Sequence, residues 1–297
     1  MHTVKFFQLD VFADRAGCGN PLGVVVGAEG WSTADMQRFA TWTNLVETTF
    51  LLPAARVEAD YRLRIFTPHR EIPFAGHPTL GSAQVALDIG RVTPAEGRLI
   101  QDCGAGLLPI LVEGEGAARQ LFVQAPPAEV VASGLDAEPQ LATVLGERRL
   151  GRLPPACVSG GRRWWVAELA DEAELRSWSP DHAAIRALAE ASDTLGLCAF
   201  ARCQGQPYEL AVRAFPAGAG IVEDPASGAA NALLAAWLQQ AEPDGSLARG
   251  YRVSQGREIG RDATLVLRLE EDCIWVGGHS VTVIAGEAHW PLHSSGT

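Results

Sequence analysis

Three residues in this chain are of the right type for proton transfer and stand where neighbours would hold them in place: Glu47, His77 and Asp224. Glu47 lies within Asn44-Leu45-Val46-Glu47-Thr48-Thr49-Phe50, an acid between apolar residues at the entrance to a strand. Such an acid is either a surface glutamate in a loop or a carboxyl whose pKa is raised by apolar surroundings, able to move a proton near neutral pH. His77 and Asp224 each precede a proline, in His77-Pro78-Thr79-Leu80-Gly81-Ser82-Ala83 and Asp224-Pro225-Ala226-Ser227-Gly228-Ala229-Ala230. The two phrases lie half a chain apart, and at the same offset Tyr61 falls on Tyr208 and Leu63 on Leu210. Each reads as a helix start, with the polar residue at or beside the N-cap and the proline at the first helical position, where a missing N–H costs nothing. Capping alone accounts for either residue. Both together, at corresponding helix starts, favour a shared site whose backbone N–H donors suit an anion. Glu47 falls on Thr194 at this offset. The repeat therefore carries one unmatched acid, which is what a transfer using one main base needs.

Other constellations are weaker. Gly76 before His77, and Gly218-Ala219-Gly220 before Asp224, supply small residues that let backbone approach a ligand. Gln255-Gly256-Arg257-Glu258-Ile259-Gly260-Arg261 reads as a turn between strands, or else Arg261 orients a substrate acid or ties domains together. No phosphate loop, dinucleotide fingerprint or Gly-x-Ser-x-Gly elbow occurs. The six cysteines are widely spaced and read as buried reduced thiols, and none of the seven histidines has a metal-ligand spacing. The acid–base set therefore calls for no metal and no cofactor. A net charge of −11 with scattered Lys and Arg argues against nucleic acid or an anionic membrane as partner. The N-terminus lacks a signal peptide's apolar core, and no run is long enough to span a bilayer, so the expectation is a cytoplasmic protein.

The elements that must position these residues follow from periodicity. Strands are expected at 5–11, 23–26, 48–52 and 61–66, then at 98–102, 107–113 and 119–124. Ser32, with Asp35 three residues on, opens a helix running to about residue 43. The second half echoes this with strands at 163–169, 195–202, 208–215, 250–255, 263–270, 273–276 and 280–284, and helices at 172–178 and 182–191. The repeat helices, 77–89 and 225–239, are apolar on nearly all sides, the mark of a buried helix. The expectation is an α+β fold of two similar domains, each a barrel-like β-sheet wrapped around a central helix. The domains are expected at 1–125 and 126–280, joined near Pro126-Pro127, with a last strand near 281–297 packing back on the first.

With these phrases assembled the chain resembles a known family. Asp10-Val11-Phe12, Gly19-Asn20-Pro21, Glu47-Thr48-Thr49-Phe50, Phe66-Thr67-Pro68, Gly76-His77-Pro78-Thr79, Glu223-Asp224-Pro225-Ala226-Ser227-Gly228, Gln255-Gly256 and Gly260-Arg261 run in the order found in PhzF-like phenazine biosynthesis isomerases. Those are relatives of diaminopimelate epimerase and proline racemase. The resemblance implies the diaminopimelate epimerase-like fold, an active site in the cleft between domains, a homodimer and cofactor-free chemistry. It implies Glu47 as the principal acid–base residue, assisted by His77 and Asp224. It also implies backbone N–H groups around Gly76 and Gly228 on the carboxylate of a small substrate, with Asn20, Val46, Ala229, Gln255 and Arg261 about it. Val46 and Ala229 stand where the phenazine enzymes often carry a serine, and so remove hydroxyls that could contact the substrate. The racemase relatives place cysteines near the two helix starts; here Gly76-His77 and Asp224 stand there, and two-thiol racemisation is not available. The expected activity is an isomerase that shifts a proton between carbons of a small carboxylate-bearing substrate. The rivals are a racemase or lyase on the same base and a non-catalytic binder of small acids.

Overall fold

The computed structural model describes residues 1–270 and 273–292, and the chain divides into two compact units. The first comprises Met1–Gln124 and the chain from Gly277 on. Strands Asn20–Val26 and Glu47–Leu52 are buried along nearly all their length, as strands covered on both faces are, whereas Tyr61–Phe66 exposes Arg62. Strand His2–Val11 pairs antiparallel with Ser280–Trp290 on one side and with Asn20–Val26 on the other. The order continues parallel to Glu47–Leu52, antiparallel to Tyr61–Phe66, parallel to Arg98–Cys103, then antiparallel to Gly106–Glu113 and on to Gln120–Gln124. Each parallel step needs a crossover, and a helix supplies it. Helix α1, Thr33–Thr43, serves the first and helix α2, Gly76–Asp88, the second.

Ser32 caps α1 as expected: its Oγ accepts from the Asp35 N–H at 3.1 Å and donates to the Asp35 carboxylate at 2.7 Å. Helix α2 is buried from His77 through Ala86 and packs against strands on several sides, so the sheet curls around it. Two features bring it close. A Cβ on Gly81 would stand 2.5 Å from Leu22 Cδ2 and 2.8 Å from Val11 Cγ2, so only glycine fits without displacing both side chains. A buried polar chain then fixes the helix in register: Tyr61 donates to Gln101 Oε1 at 3.1 Å, Gln101 Nε2 donates to Thr79 Oγ1 at 3.1 Å, and the Thr49 and Ser82 hydroxyls bond at 2.8 Å.

The second unit is Ala125–Val276. Its strands are Glu129–Ser133, Ala156–Gly160, Arg162–Glu168, Leu197–Arg202, Leu210–Phe215, Gly250–Gln255 and Ala263–Leu269, and its helices α3 Pro139–Leu145, α4 Glu172–Ser177, α5 His182–Ser192 and α6 Gly228–Ala241. From Ala156–Gly160 onward the pairings run antiparallel, parallel, antiparallel, parallel, antiparallel, the succession that the first unit shows from His2–Val11. Helix α6 is the crossover of the second parallel pair, as α2 is in the first unit, and it is buried along most of its length against the surrounding strands. The architecture is mixed α+β, with the two apolar helices at the centres of curved sheets.

Several expectations need correction. Helix α2 starts one residue before His77, with Ala75 as an N-cap that offers no side-chain bond, so His77 does not cap and Pro78 is third in the helix. Helix α6 starts at Gly228 with Ser227 as its cap, so Pro225 lies outside the helix and Asp224 is not at its N-cap. The cause is local: Ser227 Oγ accepts from the Ala230 N–H at 3.3 Å, and Asp224 accepts instead from the Ala226 N–H at 3.0 Å in a turn of its own. Strands Glu71–Ile72, Glu129–Ser133 and Ala156–Gly160 and helix α3 were not expected, being short and without clear periodicity. The last strand runs on to Trp290, while residues 293–297 of the expected terminal strand lie outside the described residues. Of the cysteines, Cys103, Cys157 and Cys198 are buried, but Cys18, Cys203 and Cys273 are only half-buried. No helix among the described residues is long and apolar enough to cross a membrane.

Candidate active site

The candidate residues gather in two groups, one in each unit. In the first unit Glu47 opens its strand opposite Leu22, and its side chain is 12% exposed. The left-handed Asn44 ends α1, and Leu45 and Val46 carry the chain from there into the strand, with Val46 half-buried. His77 sits in the first turn of α2 with its side chain 9% exposed, and its Nε2 lies 3.2 Å from Glu47 Oε2, off the alignment of a hydrogen bond. Burial lowers the His77 pKa from 6.5 to about 3, a fall only partly opposed by a hydrogen bond to the Pro21 backbone. Proline has no N–H, so the imidazole donates to the Pro21 carbonyl. The imidazole is therefore neutral at physiological pH, and the contact is not an ion pair.

Asn20, next to Pro21, is buried at the start of its strand. Gly76 is half-buried, with only Val123 Cγ1, at 3.9 Å, near where a Cβ would stand. With no side chain capping α2, the first-turn N–H groups of Gly76 and His77 remain donors for an anion.

In the second unit the group is built on the loop from Asp224 to Ser227. Asp224 is half-buried, and its N–H donates to the Ala214 carbonyl at 2.8 Å. Gly228 and Ala229 form the first turn of α6, half-buried and exposed respectively. Gln255 ends its strand fully buried, with its carboxamide occupied by chain groups: Nε2 donates to the Asp224 carbonyl at 2.8 Å, while Oε1 accepts from the Ser227 N–H at 3.2 Å and from Asn231 Nδ2 at 2.9 Å. Gly256 follows at φ +92°, and a Cβ there would stand 2.6 Å from the Pro225 carbonyl oxygen. The stretch from Gln255 to Arg261 is a turn, closed by the Arg261 N–H donating to the Gly256 carbonyl at 2.9 Å, and Arg261 is half-buried.

Sequence reasoning passed over two supports of this loop. Arg213, nearly fully buried, forks onto Glu223 with two bonds of 2.9 Å and donates to the Leu175 and Trp178 carbonyls, which anchors the residue before Asp224. Asn231 bonds Gln255 and the Ser227 carbonyl. Arg213 carried no signal, since a lone arginine in an apolar strand has many uses. Asn231 did: it is the one polar residue of α6 before Gln239. Among the described residues no group of three or more His, Cys, Asp and Glu is placed to hold a metal ion.

This α+β fold is shared with solved structures of the PhzF family and of the proline racemase kind. The Bacillus anthracis phenazine biosynthesis protein of the PhzF family matches it with a TM-score of 0.80 over 97% of this chain and 100% of that one, at 24% identity. A hydroxyproline epimerase from Agrobacterium vitis matches with a TM-score of 0.60 over 96% and 92%, at 12% identity. In sequence, residues 9–286 match the family described as phenazine biosynthesis-like protein, PhzC-PhzF, and the chain belongs to that family and is an isomerase. A Pseudomonas aeruginosa relative named trans-2,3-dihydro-3-hydroxyanthranilate isomerase is 32% identical over 96% of this chain and 99% of its own length. The relative from Schizosaccharomyces pombe named antisense-enhancing sequence 1 is 29% identical over 96% and 98%.

Proposed function

We propose that the protein is a cofactor-independent isomerase that moves a proton from one carbon to another of a small carboxylate-bearing substrate. The buried contact between Glu47 and a neutral His77 carries this reading. Glu47 takes the proton from a carbon next to a C=C bond of the substrate, the electron pair of the broken C–H bond shifts into a new C=C bond, and a proton returns to the far carbon of the old one. No oxidant or co-reactant is consumed. An uncharged imidazole beside the carboxyl is suited to the relay, since it holds a donor at one nitrogen and an acceptor at the other. Asp224 assists on the same substrate by holding an amino or hydroxyl group, and first-turn N–H groups at Gly76 and Gly228 take the carboxylate. Asn20, Val46, Ala229 and Arg261 complete the substrate's surroundings. Gln255, buried and fully occupied on its acceptor side, supports the loop instead of touching substrate.

The name of the Pseudomonas aeruginosa relative supplies the first compound to try, a small cyclic amino acid. Val46 and Ala229 offer no hydroxyl to it, so tighter turnover of a less polar carboxylic acid is expected. The test is incubation of the protein with such acids in D2O. Deuterium entering a carbon position, followed by NMR, is the expected result, and no exchange with any acid that binds would contradict the reading. The family resemblance further supports a cytoplasmic homodimer, which equilibrium sedimentation would return as twice the 31.6 kDa chain mass.

A further inference from the structure

We propose that Gln255 and Asn231 form a buried amide clasp that sets where the Asp224 carboxyl points, making Gln255 a positioning residue; this rests on reading Asp224 as part of the working site. Three groups of the loop between the sheet and α6 are held at once, and a fourth bond ties the two amides together. Gln255 Nε2 grips the Asp224 carbonyl at 2.8 Å, and its Oε1 grips the Ser227 N–H at 3.2 Å. Asn231 Nδ2 bridges Gln255 Oε1 at 2.9 Å and the Ser227 carbonyl at 2.8 Å. Between the held residues lies Ala226, whose N–H donates to Asp224 Oδ1 at 3.0 Å and so aims that carboxyl.

The network admits one orientation of each amide. Turning Gln255 over would set its oxygen against the Asp224 carbonyl. Turning Asn231 over would set Oδ1 against two other oxygens, and the side chain instead leaves Oδ1 without a hydrogen-bond partner to keep both Nδ2 bonds. Both side chains are 0% exposed, where a missing partner is costly and a satisfied one rigidifies. Gly256 closes the clasp from below, since its bare α-carbon is what lets the strand end lie against the Pro225 carbonyl. The job needs a side chain that donates on one side and accepts on the other. Glutamine does so at every pH, a leucine at none, and a glutamic acid only while protonated.

That last distinction gives the test. In Gln255→Glu the protonated carboxyl can donate to the Asp224 carbonyl and accept from Ser227, whereas the ionised one repels that carbonyl. NMR of the protein, without any substrate, would follow the Asp224 side-chain carbon and the Ala226 and Ser227 amides as pH is raised. The expected result is wild-type positions at low pH and departure of all three together as the introduced carboxyl ionises, with no such step in the wild type. Resonances that match the wild type at every pH in a folded variant would overturn the clasp. If that variant does not fold, Asn231→Ala reads the same claim: the Asp224 carbon and Ala226 amide should move, and unmoved signals overturn it. Failure of the functional reading is separate, because Asp224→Asn with undiminished turnover would remove Asp224 from the site and leave the clasp standing.

Discussion

A histidine held neutral next to a carboxyl behaves differently from one in an ion pair, and the difference is measurable at His77. Burial lowers its pKa to about 3, so its ring should show a single neutral tautomer by nitrogen NMR from pH 5 to 9. Charging of the ring within that range would contradict the account. The same shift fixes a sign for stability. Between the ordinary value of 6.5 and about 3 the unfolded chain binds a proton at this site that the folded chain does not. This contribution is intact above 6.5 and is lost as pH falls through the window, at a slope of up to about 1.4 kcal/mol per pH unit. Denaturant titrations should therefore find His77→Phe less acid-sensitive than the wild type between those values. Glu47 and His77 were legible as an acid and a base flanked by apolar or small residues. That the imidazole donates to Pro21 was not, because a backbone carbonyl has no signature in sequence.

At the scale of elements, the two helix starts share a phrase and differ in structure. His77 lies inside α2, whereas Asp224 lies in a turn ahead of α6. Pattern reading placed both helices and both buried faces but misplaced the second start, because Ser227 takes the cap of α6 and Asp224 closes a turn with Ala226, while Gln255 from a distant strand holds the Asp224 carbonyl and the Ser227 N–H. The competing cap lies within the phrase itself, whereas the hold from Gln255 leaves no trace near the residues it grips. Two substitutions probe it. Ser227→Ala removes the α6 cap and should lower stability by about 1 kcal/mol in thermal unfolding. Gly256→Ala combines a positive φ with a Cβ pressed on the Pro225 carbonyl and should cost roughly 1–3 kcal/mol. It should also lower turnover more than the cap variant does, since it displaces the loop that carries Asp224. Equal turnover in the two variants would detach the loop from the chemistry.

At the scale of the whole chain, the repeat legible as a few matched residues proves to be a repeat of topology. The same run of antiparallel and parallel pairings builds each unit, and each second parallel step is crossed by an apolar helix. Five identities could not dictate that succession, but two all-round-apolar helices among short strands made curved sheets around helices the economical reading. A frame made twice carries Glu47 once. For a chemistry that needs no metal, exhaustive chelation and dialysis should leave exchange activity unchanged, and loss restored by an added metal would contradict it. The most direct test of the central claim is solvent-deuterium incorporation into a substrate by Glu47→Gln, which keeps the shape of the side chain and removes its acid–base capacity. The account predicts a folded variant whose incorporation falls by about 10²–10⁴-fold. A folded variant that still exchanges deuterium at the wild-type rate would show that Glu47 does not move the proton.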